Sequence, residues 1–413
     1  KMDNESELQE LLGYLKKSSI PNSEDFIIKF QTNRVSFETL ETLIDECEKN
    51  KEYLLKISLL KFVLKLNDDA EIFSMLGNTY KKINDFKNAE INYNIAISKD
   101  PSNFIFQYNK GVLYYELERY EDAKISFLES AISNKNYFLV FYNLGNTYTK
   151  LGDYSNAIDV YKRAIELNDN YAPTFYNLGI VYENAKLPEE ALKCYDRAVS
   201  IDSENPSYHW NRSLIMLYLG MCEEGFKEYE WRLKKTGYKY KYDGKRWNGE
   251  YISGKKLFVY SEQGFGDIIY FARFLTILKE KNIYVILGVK KELQSLFEIN
   301  NLADEIFNID QIPTNLQYDY YVSLLSIPSL VNISLFENKI CFPYLGIKSP
   351  NKIMPNFQTN SKLKVGIVWK GNPEPKENRV RHTQLKYFEN INSEKIQYYS
   401  FQLGADKEEL ENC

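Results

Sequence analysis

Four glycines, Gly77, Gly111, Gly145 and Gly179, stand 34 residues apart. Tyr80, Tyr114, Tyr148 and Tyr182 keep the same interval, as do Ala89, Ala123, Ala157 and Ala191. A further set, Tyr93, Phe127, Tyr161 and Tyr195, puts an aromatic ring in every unit. This period constrains the fold more than any other feature of the chain. One such unit cannot enclose a core alone, so successive units must stack and share one. Small Gly and Ala allow close approach, and the rings fill the space between units.

These residues resemble the tetratricopeptide pattern, a helix–turn–helix unit. The resemblance implies an α-helical superhelix over residues 36–233. The flanking units are degenerate. Ser36–Asp69 has the right length but no glycine, and Pro206–Leu233 has Ser213 in its place. Such departures suit array ends, which must cap the core. Residues 1–35 read as one or two further helices, broken near Pro21. Asn109, Asn143, Asn177 and Asn211 also recur at the 34-residue interval, on the first helix of each unit. A side-chain amide both donates and accepts, so it can pair with the backbone of any peptide. The row resembles one in the superhelix of O-linked N-acetylglucosamine transferase. It reads as a ladder for a polypeptide on the concave face, or as a residue common at that motif position. Asn78 and Asn146 share a second position and would widen the row.

Beyond residue 233 the pattern changes. Residues 234–255, including KKTGYKYKYDGK, are basic, aromatic and aperiodic, and read as a connector. Strands are expected at Lys256–Tyr260, Tyr284–Val289, Glu305–Ile309 and Tyr318–Ser323, with helices at Ile268–Lys281, Lys290–Ile299 and Ser326–Leu330. Alternating strands and helices imply a parallel sheet with right-handed crossovers, here over residues 256–348. A second α/β unit over residues 349–413 opens with the strand Leu363–Trp369 and adds a helix at Gln384–Asn390 and a strand at Gln397–Phe401. The fold class is therefore α plus α/β.

The turn after Tyr260, SEQGFGD, carries the strongest chemical signal. A strand, a glycine turn and a helix start place free backbone N–H groups where ligands bind. Glu262, Gln263, Gly264 and Gly266 form this loop, and Asp267 stands at the helix start. Ile269 replaces the third glycine of a dinucleotide fingerprint, so NAD is not expected. No Walker loop is present. Asp267 reads either as a catalytic base or as a helix-capping carboxylate. Glu262 and Gln263 either orient a ligand or are solvated turn residues.

A net charge of −5 argues against a general nucleic-acid binder. The five cysteines are scattered with no CxxC, so neither a zinc site nor a disulfide framework is expected. No apolar run is long enough for a membrane span, and no leader is visible. The expected compartment is the cytoplasm.

Four segments occur in a recognisable order: EGFKEYEWR (Glu224–Arg232), RWNGE (Arg246–Glu250), GKKLFVYSEQGFGDIIYFARF (Gly254–Phe274) and VGIVWKGNP (Val365–Pro373). Together they resemble bacterial proteins in which tetratricopeptide repeats precede a heptosyltransferase-like glycosyltransferase domain, some of them similar to flagellin or protein O-glycosyltransferases. The resemblance implies a GT-B fold of two Rossmann-like domains, with residues 256–348 on the acceptor side and the second, from 349, incomplete. It implies a nucleotide sugar as donor substrate, no metal or other cofactor, and a polypeptide acceptor recruited by the repeats. Asp267 would be the general base. Trp369, Lys370, Asn372 and Arg381 would line the second domain's side of the cleft. Related enzymes continue further, so either the chain is a truncated form or transferase activity is lost. The alternative is a non-catalytic protein–protein interaction scaffold carrying a remnant transferase-like domain.

Overall fold

A computed structural model describes residues 2–32, 35–235, 242–262, 264–331, 345, 363–367 and 396–400. The chain divides into two compact units, Lys1–Tyr344 and Leu345–Cys413. The first begins with α1 (Met2–Lys17) and α2 (Ser23–Gln31). Helix pairs follow at the 34-residue interval: α3 (Phe37–Lys49) with α4 (Tyr53–Leu66), α5 (Ala70–Lys82) with α6 (Phe86–Lys99), and α7 (Phe104–Glu116) with α8 (Tyr120–Ser133). Then come α9 (Phe138–Leu151) with α10 (Tyr154–Leu167), α11 (Ala172–Asn184) with α12 (Pro188–Ile201), and α13 (Pro206–Tyr218) with α14 (Cys222–Tyr229).

Local chemistry sets the helix starts. Ser36, Asp69, Asp85, Asn103, Asp153 and Asn205 each accept a backbone N–H of the first turn that follows. The periodic glycines join the two helices of each unit. A Cβ on Gly77, Gly111, Gly145 or Gly179 would come within 2.5–2.7 Å of the ring of Tyr93, Phe127, Tyr161 or Tyr195 respectively. The rings lie flat where a side chain would otherwise stand. First helices also touch in sequence, α5 on α7, α7 on α9 and α9 on α11, forming the inner side of the array.

A 3-10 turn at Glu230–Lys234 leads out of the array. The sheet comprises β1 (Lys245–Arg246), β2 (Lys256–Tyr260), β3 (Tyr284–Val289), β4 (Glu305–Asn308) and β5 (Tyr320–Ser323). Their order is β1-β5-β2-β3-β4 and all pairs are parallel. β2 and β3 are buried from their second residue onward, as strands covered on both faces must be.

The helix expected over Ile268–Lys281 is instead two, α15 (Phe265–Ala272) and α16 (Leu275–Glu280). The break at Arg273-Phe274 lets Phe274 and Leu275 both bury. β1 was not expected within the connector; Lys245 pairs with Tyr320 there. β4 stops one residue early, where Ile309 opens a 3-10 turn, and β5 starts two residues late. α17 (Lys291–Ile299) and α18 (Ile327–Leu330) complete the unit.

In the second unit, β6 (Leu363–Ile367) and β7 (Ile396–Ser400) form a parallel pair with Leu363 opposite Ile396. The helix expected at Gln384–Asn390 lies outside the described residues.

Candidate functional site

Two sites predicted from sequence can be followed into the structure. The first is the asparagine row. Asn143 Nδ2 donates to Tyr108 Oη at 2.9 Å, Asn177 Nδ2 to Tyr142 Oη at 3.2 Å, and Asn211 Nδ2 to Tyr176 Oη at 3.1 Å. Asn109 Nδ2 donates to Ser74 Oγ at 3.3 Å, from the same register position. Each bond links the first helix of one unit to that of the unit before. All four asparagines are half-buried. The Oδ1 atoms of Asn109, Asn177 and Asn211 have no partner among the described residues. Asn143 Oδ1 accepts from Asn146 Nδ2 at 3.5 Å. Each amide thus spends at least one Nδ2 hydrogen within the array, and Asn177 spends both, leaving three Oδ1 acceptors on the row.

Asn146 joins that row: it donates to Asn143 Oδ1 and its own Oδ1 accepts from Asn177 Nδ2 at 2.8 Å, whereas Asn78 makes no bond to a row asparagine among the described residues. The Oδ1 atoms of Asn78 and Asn146 also accept from Tyr93 Oη at 2.7 Å and Tyr161 Oη at 2.6 Å respectively. The other units show the same pairing logic. Phe127 has no hydroxyl, and Val112 stands where the acceptor would be. Tyr195 meets Ile180 at that position and turns its hydroxyl to Glu183 Oε2 at 2.9 Å. Aromatic edges line the inner side beside the row. Tyr137 packs edge-on against Phe104 and Tyr108, and Tyr171 against Phe138 and Tyr142. Burial pushes the Tyr108 phenol up to about 12.

The second site is the turn after β2. β2 has β3 on one side and β5 on the other, so the chain crosses over in both directions from its end. Such a switch point opens a crevice at the carboxyl ends of the strands. Here the crevice floor is occupied. Glu262 is buried and its Oε1 accepts from Arg232 Nη2 at 2.7 Å and Nε at 3.1 Å. Ser323, at the end of β5, hydrogen-bonds the same oxygen. Arg232 Nη2 also reaches Ser326 Oγ at 2.7 Å, and its Nη1 reaches Glu230 Oε1 at 2.6 Å. Arg246 holds the other Glu230 oxygen at 2.7 Å. Burial pulls the Arg232 pKa down, but Glu230 and Glu262 outweigh it and hold it above the ordinary value. Glu262 is therefore a structural anion facing the array, not a solvated turn residue.

Asp267 sits differently. It is exposed on the first turn of α15 and makes no capping bond; Gly264 is the N-cap. Its Oδ2 lies 3.8 Å from the point a Cβ on Gly264 would occupy. Gly266 has open space where a side chain would project. Phe265 and Tyr270 are exposed on the same short helix, and Lys290 Nζ lies 5.0 Å from the Phe265 ring. The buried side of α15 packs on the end of the array, with Phe271 against Phe226 and Tyr229. Gln263, Trp369, Lys370, Asn372 and Arg381 lie outside the described residues.

Two tryptophans lie at the connector, Trp231 just before it and Trp247 within it. Trp231 stacks on His209 at 3.6 Å, and His209 Nδ1 bonds Glu228 Oε1 at 2.5 Å, so both serve the array's end. Trp247 is buried beside the sheet; its backbone N–H donates to Tyr321 O at 3.0 Å. Arg232 was missed as a site-forming residue, although it ends one of the four recognisable segments. Tyr108, Tyr142 and Tyr176 were missed as well, although they repeat at the same 34-residue interval as the asparagines.

Sequence profiles of the tetratricopeptide repeat match residues 74–137 and 172–205, and a TPR-repeat profile matches 145–185. These segments are tetratricopeptide repeats. Protein FlbA of Caulobacter vibrioides is 34% identical over 88 residues, covering 20% of this chain and 15% of FlbA. The chain thus matches a small part of that relative's length. Among solved structures, MamA is 25% identical with a TM-score of 0.38, covering 40% of this chain and 90% of MamA. PilF of Pseudomonas aeruginosa is 19% identical with a TM-score of 0.43, covering 48% of this chain and 90% of PilF. YrrB, described as a TPR protein with an unusual peptide-binding site, is 23% identical with a TM-score of 0.38, covering 42% of this chain and 91% of YrrB. No helix among the described residues is long and apolar enough to cross a membrane, and no His/Cys/Asp/Glu group there could hold a metal.

Proposed function

We propose that the chain is a protein-interaction scaffold whose repeats hold an extended polypeptide along the inner side of α7, α9, α11 and α13. The observation that carries this reading is the asparagine row. Each amide is fixed from behind by the preceding unit, which leaves the Oδ1 atoms of Asn109, Asn177 and Asn211 available to an incoming backbone N–H. Fixing the amide beforehand lowers the ordering cost of binding. Because the contact is to backbone, sequence preference would come from the flanking tyrosines and phenylalanines. The test is binding of a candidate polypeptide by calorimetry to wild type and to Asn143→Ala/Asn177→Ala. A loss of about tenfold or more is expected for two hydrogen bonds. Unchanged affinity, with the fold intact by circular dichroism, overturns the reading.

A second reading, glycosyl transfer to that polypeptide, is favoured by Asp267. It is a carboxylate without a partner among the described residues, at the mouth of a switch-point crevice beside exposed aromatic rings. The parallel strand order also suits one half of a GT-B enzyme. In this reading Asp267 takes the acceptor hydroxyl proton as its oxygen bonds the anomeric carbon, and the nucleoside diphosphate departs with the bonding electrons. Incubation with labelled nucleotide sugars and acceptor should give a sugar adduct that Asp267→Asn abolishes. An adduct formed equally by that variant removes Asp267 from the chemistry.

A further inference from the structure

The unit formed by α3 and α4 differs from the rest in a way that opens a groove. At the three register positions held elsewhere by Gly, Ala and an aromatic ring, it carries Leu43, Leu55 and Leu59, all fully buried. A leucine at the glycine position blocks the flat ring contact seen at Gly77 and its equivalents. α3 accordingly packs less closely on α4 than the other first helices do on their partners. The result is a cleft of about 510 Å³ bounded by α3, α4 and α5.

The cleft has a distinct chemistry. Its apolar lining includes Leu40, Ile44, Val63 and Ile72, with Phe37 at 65% exposure on the side of α3. Glu41, Asp45, Asp69 and Glu71 also line it, and no Lys, Arg or His does so among the described residues. Glu41 and Glu71 make no salt bridge there and Asp45 makes none within 4 Å, although its charge acts on Lys56, whereas Glu46, Glu48 and Asp68 nearby are paired with lysines. Unpaired carboxylates around an apolar floor repel one another unless a cation joins them.

We infer that this groove binds a cationic polypeptide segment, one that inserts an aliphatic or aromatic side chain between α3 and α5 and sets Lys or Arg residues against Glu41, Asp45 and Glu71. Met75 and Glu41 stand at the register position of the asparagine row, one and two units before Asn109, so the groove lies toward the amino-terminal end of that row but uses different chemistry. Its test uses fluorescence anisotropy with the full chain and a short labelled peptide of leucines flanked by arginines. Wild type should bind it, more weakly as salt rises. Peptides with glutamate for arginine, or alanine for leucine, should bind at least about tenfold more weakly. Glu41→Lys/Glu71→Lys and Phe37→Ser, all at exposed positions, should each cause a comparable loss. Equal binding of the arginine and glutamate peptides overturns the inference. So does binding that survives the charge reversal but is lost in Asn143→Ala/Asn177→Ala, which would leave the asparagine reading standing. A dimer of the chain that the charge reversal dissolves, seen by light scattering, would instead assign the groove to a second copy.

Discussion

Arg232 Nη2 lies 2.7 Å from Glu262 Oε1, with the two side chains only 3% and 4% exposed. One residue lies at the end of the repeat array and the other in the turn after β2. The pair therefore joins the array to the sheet through a buried charge contact rather than through apolar packing alone. Removing one partner strands the other in a site with little water. Arg232→Ala and Glu262→Ala should each lower stability by about 3–5 kcal/mol. Replacing both with apolar residues of similar volume should recover much of that loss. Urea unfolding of the two single variants and the double variant, analysed as a cycle, measures the coupling. Additive losses would show that the contact is incidental.

Much of this fold was legible because its chemistry is periodic or local. The glycine–ring contacts follow from residues that repeat every 34 positions, and β2 and β3 follow from the apolar runs LFVY and YVILGV. What was not legible depends on partners distant in sequence. Nothing near Glu262 indicates Arg232, 30 residues earlier, so a buried anion reads as a turn residue. The break at Arg273-Phe274 has no glycine or proline to mark it and arises from burial of Phe274. The Tyr–Asn bonds occupy an intermediate case. Their 35-residue separation is written in the repeat, but hydroxyl and amide each have a plausible role alone, and only the packing of first helices brings them together.

The array should lose stability in alkali. Burial raises the phenols of Tyr93, Tyr161 and Tyr195 above the ordinary value of 10.0, and Tyr108 to about 12. In the unfolded chain these groups release protons near pH 10, while the folded chain retains them. The folded state then binds more protons, so stability is fully present below about pH 10 and falls as pH rises through that range. Urea midpoints at about pH 8 and about pH 11 should differ in that direction, and absorbance of phenolate should rise in step with unfolding. A midpoint that holds over this interval would contradict the assignment.

Thiol chemistry should separate folded from unfolded chain. Cys47 and Cys194 are buried, and burial pushes both thiols up to about 12. The thiolate is the nucleophile, so both are protonated and shielded near neutral pH. Iodoacetamide at about pH 8 should leave both unmodified in native protein and alkylate both after denaturation. Peptide mapping by mass spectrometry reads each site separately. Rapid native modification of Cys47 would show that α3 opens from α4, which bears directly on the groove beside it.

Alanine substitution at three glycines should give effects of opposite sign. Alanine favours helix over glycine by about 1 kcal/mol, so a helical glycine with room for a methyl group gains from the change. Gly266 is exposed on α15 with open space around it, and Gly266→Ala should be neutral or stabilising by up to about 1 kcal/mol. Gly145 has no such room: the new Cβ would lie 2.6 Å from the Tyr161 ring. That ring is buried and its hydroxyl is fixed to Asn146 Oδ1 at 2.6 Å, so it cannot swing aside without breaking the bond. Gly145→Ala should cost about 1–3 kcal/mol despite the better helix former. Gly111→Ala meets Phe127 at 2.7 Å, but Phe127 has no hydroxyl to lose and can shift at lower cost. Thermal or urea unfolding should therefore rank the variants Gly145→Ala, then Gly111→Ala, then Gly266→Ala, from most to least destabilised. Equal losses at Gly145 and Gly111 would remove the Tyr161–Asn146 bond from the explanation.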